Sequence, residues 1–232
     1  ASDQTIKEIS DGTILQETNM IHKYGTGLPL VFVTKKADVK NAAAKIVAGA
    51  VESRGCLCIS TTPVFVEKSV SKKLYEEIKN ISSRLVKGDP LSEKTDIASY
   101  TKEEVEKTKR IISESGVKQR VGSIYKNTMD LNLFFASSDS LVLQNEISGC
   151  VVGLIEYSKL DEAVKKANEI LDKREIKKWI LCSVFGDEFE YLFVKKNLTC
   201  YVVRANVATN DLNLFLPHQG SYFILDLFDT TY

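Results

Sequence analysis

Residues 53–66 read Ser53-Arg54-Gly55-Cys56-Leu57-Cys58-Ile59-Ser60-Thr61-Thr62-Pro63-Val64-Phe65-Val66. A helix-like segment leads into this stretch. Asp38 stands where an N-cap belongs, and residues 39–52 carry Ala42, Ala43, Ile46, Val47, Ala50 and Val51 at helical spacing. Gly55 is placed to end that helix, and Pro63-Val64-Phe65-Val66 is a strand-like apolar run. Cys58 therefore falls at a helix-to-strand junction, where a side chain can face a cleft.

Outward from the junction, strands and helices exchange regularly. Upstream, Leu28-Pro29-Leu30-Val31-Phe32-Val33 is a continuous apolar run, as expected of a strand buried on both faces of a parallel sheet. Downstream, Ser69 or Ser71 caps a helix reaching about residue 87, with Leu74, Ile78, Ile81 and Leu85 on one face, and Gly88-Asp89-Pro90 stops it. A third helix is expected over 102–115, ended by Gly116. Residues 119–140 suggest one or two edge strands and a loop. The order then runs as a strand-like Leu141-Val142-Leu143, a connector, a strand over 150–155, a helix over 160–171 and a strand over 179–185. A short helix opened by Gly186-Asp187 and a strand over 199–203 follow. This exchange predicts an α/β fold, a three-layer αβα sandwich with a largely parallel sheet.

The bulk composition narrows the function classes. The chain has 232 residues, 44% of them hydrophobic, enough for one full core. Lys plus Arg and Asp plus Glu are each 31, so no net field draws a nucleic acid or an anionic membrane. No apolar run approaches the ~18 residues of a membrane span, and the polar start lacks a signal-peptide pattern. A soluble, cytoplasmic protein is expected. Five cysteines, mostly within apolar runs, and only two histidines point to reduced thiols and to no metal site. Residues 1–27 read as a polar lead-in and 28–232 as one domain.

Several fragments, in order, resemble the catalytic half of the aldehyde dehydrogenase superfamily. Ser53-Arg54-Gly55-Cys56-Leu57-Cys58 lies in the frame of the family's N-x-G-Q-x-C, and Pro63-Val64-Phe65-Val66 follows at the distance of its R-V-F-V strand. Gly25-Thr26-Gly27-Leu28-Pro29 is similar to G-G-K-S-P, Lys36-Ala37-Asp38 to D-A-D, and Gly88-Asp89-Pro90 to G-D-P. Glu146-Ile147-Ser148-Gly149-Cys150 is similar to E-I-F-G-P, and the helix ending Ala167-Asn168 to A-x-x-x-A-N. The shared order and spacing carry the resemblance over residues 23 to about 205. A group of short insect proteins built from the same half is also similar.

The resemblance implies a fold like that family's catalytic domain and assigns roles. Cys58 matches the nucleophile, which attacks an aldehyde to give a thiohemiacetal; hydride then passes to a nicotinamide, and water activated by a carboxylate frees the acid. Glu146 matches the acid that holds the nicotinamide ribose. Other parts depart from the pattern. Lys23 stands in place of the general-base glutamate, Ser148 in place of the aromatic, Cys56 in place of the glutamine and Ser53 in place of the asparagine. Only about two dozen residues stand where the family has a dinucleotide-binding half, and no G-x-G-x-x-G occurs. No cofactor is therefore expected, NAD entering only with a separate nucleotide-binding partner.

The expected function is a pseudoenzyme of this family, a dimeric binding or scaffolding protein with an unknown protein partner. The alternatives are a Cys58-dependent esterase or thioester hydrolase and the catalytic subunit of a split dehydrogenase. His218, in Pro217-His218-Gln219-Gly220, is a base only if the fold brings it to Cys58. Cys56 and Trp179 read as core residues, and the mixed charges around Lys102 and Glu104 as solvated helix surface. The apolar stretch 221–228 reads as a strand that pairs with a second copy.

Overall fold

The structure, a computed structural model, describes residues 27–172 and 178–211, and the backbone of 217–218 and 221–222. One seven-stranded sheet organises it. Its strands in chain order are β1 (Leu30–Val33), β2 (Pro63–Glu67), β3 (Lys118–Val121), β4 (Asn132–Phe135), β5 (Val151–Tyr157), β6 (Cys182–Phe185) and β7 (Val203–Ala205). They lie side by side as β7-β6-β1-β2-β5-β4-β3. Every neighbouring pair is parallel except β3 with β4. β1 is interior and buried along its whole length, which explains its unbroken apolar sequence.

Helices cover both faces. α1 (Val39–Val51) and α2 (Lys68–Ser82) pack one side, where Val31, Val64, Ile46 and Leu74 share a core. α4 (Leu160–Asp172) and α5 (Glu188–Asn197) serve the other, where Phe32, Phe65, Val164 and Trp179 meet. α3 (Lys102–Glu114) contributes Val105 to the first core and Ile111 and Ile112 to the second. The fold is the expected α/β sandwich. Asp38 caps α1 as read, accepting from the amides of Lys40 and Asn41, a cap worth about 1 kcal/mol.

Several expectations are corrected. α2 is capped by Glu67, which takes the Ser69 amide, and it stops at Ser82 because the hydroxyls of Ser82 and Ser83 bond back to the Lys79 and Asn80 carbonyls. Leu141–Leu143 is a 3₁₀ turn capped by Ser140 rather than a strand; its apolar residues mark burial, which periodicity cannot tell from pairing. Of the one or two edge strands expected over 119–140, β3 is one, at the rim of the sheet, while β4 is interior, with Leu133 and Phe134 fully buried. The 179–185 strand shrinks to β6, because Ile180 and Leu181 turn to a separate cluster with Ile59 while Trp179 only bridges to Cys200. The strand expected over 199–203 correspondingly begins at Val203.

The 1–27 lead-in, Lys23 included, lies outside the described residues but for Gly27. Of the 221–228 strand only Ser221–Tyr222 is described, paired antiparallel with Pro217–His218. Among the described residues no helix is long and apolar enough to cross a membrane.

Candidate functional site

The junction loop sits at the amino ends of the parallel strands. Cys58 precedes β2, Glu146 precedes β5, and Ile180 and Leu181 precede β6. This is the opposite end from the carboxyl-end crevice where open α/β sheets usually take ligands.

α1 ends at Val51, and the chain then turns through three consecutive left-handed residues, Ser53 (φ 50°), Arg54 (φ 61°) and Gly55 (φ 67°). Two of the three are not glycine, so this backbone must be held by its surroundings. Arg54 supplies most of the hold. Its guanidinium donates to the Ser99 carbonyl at 2.6 Å, pairs with Glu104 at 3.4 Å and lies 5.2 Å above the Tyr100 ring. The Tyr100 hydroxyl donates to the Arg54 carbonyl at 2.9 Å and contacts Cys150 Sγ at 3.1 Å. Gly149 donates its amide to the Gly55 carbonyl at 3.2 Å, tying the nucleophile-like loop to the Glu146 loop.

Cys56 lies within this clamp, half-buried, with Sγ 3.6 Å from the Arg54 carbonyl and 3.8 Å from Glu104 Oε1. Burial, only partly offset by Arg54, pushes its thiol up to about 11. Cys150 is fully buried and pushed up to about 12 by the same cause. The loop then closes as a tight turn, with Ser60 N–H on the Leu57 carbonyl at 2.9 Å and Leu57 N–H on Ser60 Oγ at 3.0 Å. Cys58 rides on that turn.

Cys58 is half-buried against Ile59, Ile180 and Leu181, with Leu57 and Val202 beside them. Gly27 presses on it so closely that a Cβ there would fall 2.8 Å from the Cys58 carbonyl oxygen. Burial raises the thiol pKa, and the negative charge of Glu146 raises it further; the cysteine's own amide opposes both and is outweighed. The fold thus sets the Cys58 and Glu146 loops against each other, near enough for the charge of one residue to act on the other. Lys23 lies outside the described residues, and for His218 only the backbone is described. Trp179 is core, its indole N–H on the Ala167 carbonyl at 3.1 Å. Among the described residues no three metal-ligating side chains gather.

The sequence reading missed Arg54, Tyr100 and Glu104 as parts of the site. One signal was visible: Thr101-x-x-Glu104 is a capping box, which takes Glu104 off the solvated face and turns it towards the loop.

A dinucleotide needs an acid for its ribose and amide N–H groups for its pyrophosphate. Among the described residues Glu146 is the acid that the resemblance assigns to the ribose, and the helix N-termini are ill suited to the second. Asp38, Glu67, Thr101 and Asp187 each take one or two of the first-turn amides of α1, α2, α3 and α5, Asp38, Glu67 and Asp187 with carboxylates that repel a phosphate, and the first turn of α4 carries Asp161 and Glu162. These residues therefore do not fit a whole dinucleotide.

Comparison with known proteins extends the picture. The chain is 29% identical over 146 residues to 3-sulfolactaldehyde dehydrogenase of Priestia aryabhattai, covering 59% of this chain and 30% of that protein. It is 27% identical over 153 residues to betaine aldehyde dehydrogenase of Vibrio vulnificus, covering 60% and 31%. The fold superposes on NAD-dependent aldehyde dehydrogenase from Sinorhizobium meliloti with a TM-score of 0.80 and 22% identity, over 94% of this chain and 44% of that one. It superposes equally on glyceraldehyde-3-phosphate dehydrogenase GapN from Methanocaldococcus jannaschii, with a TM-score of 0.80 and 21% identity, over 94% and 47%. The chain thus spans less than half the length of each of these relatives. The aldehyde dehydrogenase family model matches residues 7–214, and with nearly the whole chain inside that match the protein belongs to the aldehyde dehydrogenase family.

Proposed function

We propose that this chain is a non-oxidising member of its family, a cytoplasmic binding and scaffolding protein in which Cys58 is a protonated, unactivated thiol at neutral pH. The observation that carries the reading is the setting of Cys58, desolvated by Ile59, Ile180 and Leu181 and facing the negative charge of Glu146. Thiolate is the reacting form of cysteine, and working nucleophiles sit in electropositive surroundings that lower the pKa. Here both influences run the other way. The replacements at Ser53, Cys56 and Ser148 point in the same direction, as does Lys23 where the resemblance expects a carboxylate. Nicotinamide chemistry would need a nucleotide-binding unit beyond the described residues. The five free thiols suit a reducing compartment.

A second reading, a Cys58-dependent ester or thioester hydrolase, is favoured by one feature. Cys58 is half-buried rather than sealed, and the Glu146 carboxylate is near enough for its charge to act on the thiol. Turnover of p-nitrophenyl acetate by the wild type and Cys58→Ala separates the two. Equal, background hydrolysis supports the binding protein; hydrolysis abolished by Cys58→Ala contradicts it and establishes the hydrolase.

A further inference from the structure

Helices α4 and α5 lie side by side over one core, each leading back from one parallel strand to the next, and a groove of about 450 Å³ runs between them. Its two banks differ. On α5, Phe189, Phe193 and Asn197 fall at i, i+4 and i+8, one row along the helix, and Phe193 and Asn197 line the groove. Leu192 lies beside that row. Phe189 is 81% exposed, Leu192 48% and Phe193 37%, so this bank is a contiguous apolar strip of the kind that marks an interaction surface. The α4 bank is acidic. Asp161, Lys165, Glu169 and Asp172 line it, all exposed, so the carboxylates outnumber the one ammonium among these lining residues, and that ammonium lies 4.0 Å from Glu169.

The helix ends add to the negative field. A helix C-terminus carries the negative end of its dipole and is stabilised by a cation. α5 has Lys195 and Lys196 in its last turn, whereas the last turn of α4 has no basic residue and closes on Asp172, a charge of the unfavourable sign. The groove is also held in shape. The Asn168 side-chain amide donates to the Asn197 carbonyl at 2.9 Å, and its oxygen accepts the Thr199 amide at 2.9 Å. These bonds fix the end of α5 against α4 before any partner arrives, which lowers the cost of ordering on binding.

We infer that this face docks a basic amphipathic helix of another protein, whose apolar row covers Phe189, Leu192 and Phe193 while lysines or arginines on its flank reach Asp161, Glu169 and Asp172. From Asp161 to Asp172 the acidic bank is about 16 Å long, the length of three turns of a partner helix. A helix seated in such a groove presents its anchors at i, i+3, i+4 and i+7. The mixed banks select the class of partner. A wholly apolar helix would leave the carboxylates desolvated and unpaired, and a polyanion would be repelled by them. The inference names a partner class for the binding protein proposed above and rests on that reading in this respect alone. Its test reads peptide binding and not Cys58 chemistry, so either can fail without the other.

Fluorescence anisotropy on the whole chain tests it, with a labelled helical peptide of about 14 residues that carries leucine at the anchor positions and lysine elsewhere. A dissociation constant of about 1 to 100 µM is expected at about 50 mM salt, weakening severalfold at about 300 mM. The same peptide with glutamate in place of lysine should bind at least about tenfold more weakly. Phe189→Ser should weaken the lysine peptide at least about fivefold. Glu169→Lys with Asp172→Lys should weaken it at least about tenfold and should tighten the glutamate peptide. All three positions are exposed, and an unchanged circular dichroism spectrum serves as the folding control. Absence of binding up to about 1 mM, as would follow from a groove filled by a second copy or by the chain's own Lys173 and Arg174, overturns the inference. Equal affinity for the two peptides, or an affinity indifferent to these substitutions, overturns it as well.

Discussion

Gly149 donates its amide to the carbonyl of Gly55 at 3.2 Å, and a Cβ on Gly55 would lie only 2.4 Å from the Gly149 carbonyl oxygen. The two loops that present Cys58 and Glu146 therefore touch backbone to backbone. Gly55 is also left-handed at φ 67°, a conformation an L side chain adopts at a cost. Gly55→Ala should destabilise the protein by at least about 2 kcal/mol in urea unfolding. Gly149→Ala should cost less, about 1 kcal/mol, since its Cβ would meet side-chain atoms, the unbranched thioether of Met129 and the Thr108 hydroxyl, rather than backbone. The reverse order would show that the contact does not set the loop.

Tyr100 links this loop to the core. Its buried hydroxyl donates to the Arg54 carbonyl and touches Cys150 Sγ, and burial drives the phenol pKa far above its usual value. Tyr100→Phe keeps the ring under the Arg54 guanidinium but leaves the Arg54 carbonyl without that donor. A loss of about 1 to 3 kcal/mol in thermal or urea unfolding is expected.

Glu104 gives the fold a pH dependence of known sign. Burial raises its pKa, but the Thr101 amide and hydroxyl together with the Arg54 charge outweigh it and leave the carboxyl below its usual value. A depressed carboxylate stabilises the folded state above its unfolded pKa of about 4.3, and that contribution is lost as pH falls through the lower folded value. Glu104→Gln keeps the capping geometry and removes the charge. The variant should be about 1 kcal/mol less stable than wild type at pH 7, and the gap should close below about pH 4. A gap constant down to pH 3 would assign the effect to packing.

Glu146 acts on Cys58 through its charge. Glu146→Gln should shift the pH profile of Cys58 alkylation to lower pH and speed labelling severalfold at pH 8. Burial is the larger influence, so the variant thiol should still titrate above a free cysteine at about 8.5. Labelling rates unchanged by the substitution would separate the two residues electrostatically.

The scaffold was legible because local signals and packing agree. Asp38 before an alternately buried helix, the all-apolar β1, and Asp187 before α5 each carry their own physical cause in sequence. The site was less so. The left-handed backbone at Ser53 and Arg54 has no local signature, since it is imposed by Ser99, Tyr100 and Glu104 some 45 to 50 residues away. Leu141–Leu143 misled for a related reason: an apolar triplet records burial, and only the tertiary surroundings decide whether it pairs or turns.

The central claim is that Cys58 is a desolvated, unactivated thiol. Site-resolved iodoacetamide labelling of the full chain, followed by mass spectrometry from pH 6 to about 10, measures it directly. The account predicts slow labelling of Cys58 at pH 7 with a midpoint above the free-thiol value of about 8.5. Rapid labelling at pH 7 with a midpoint below about 7.5 would reveal an activated nucleophile and contradict it.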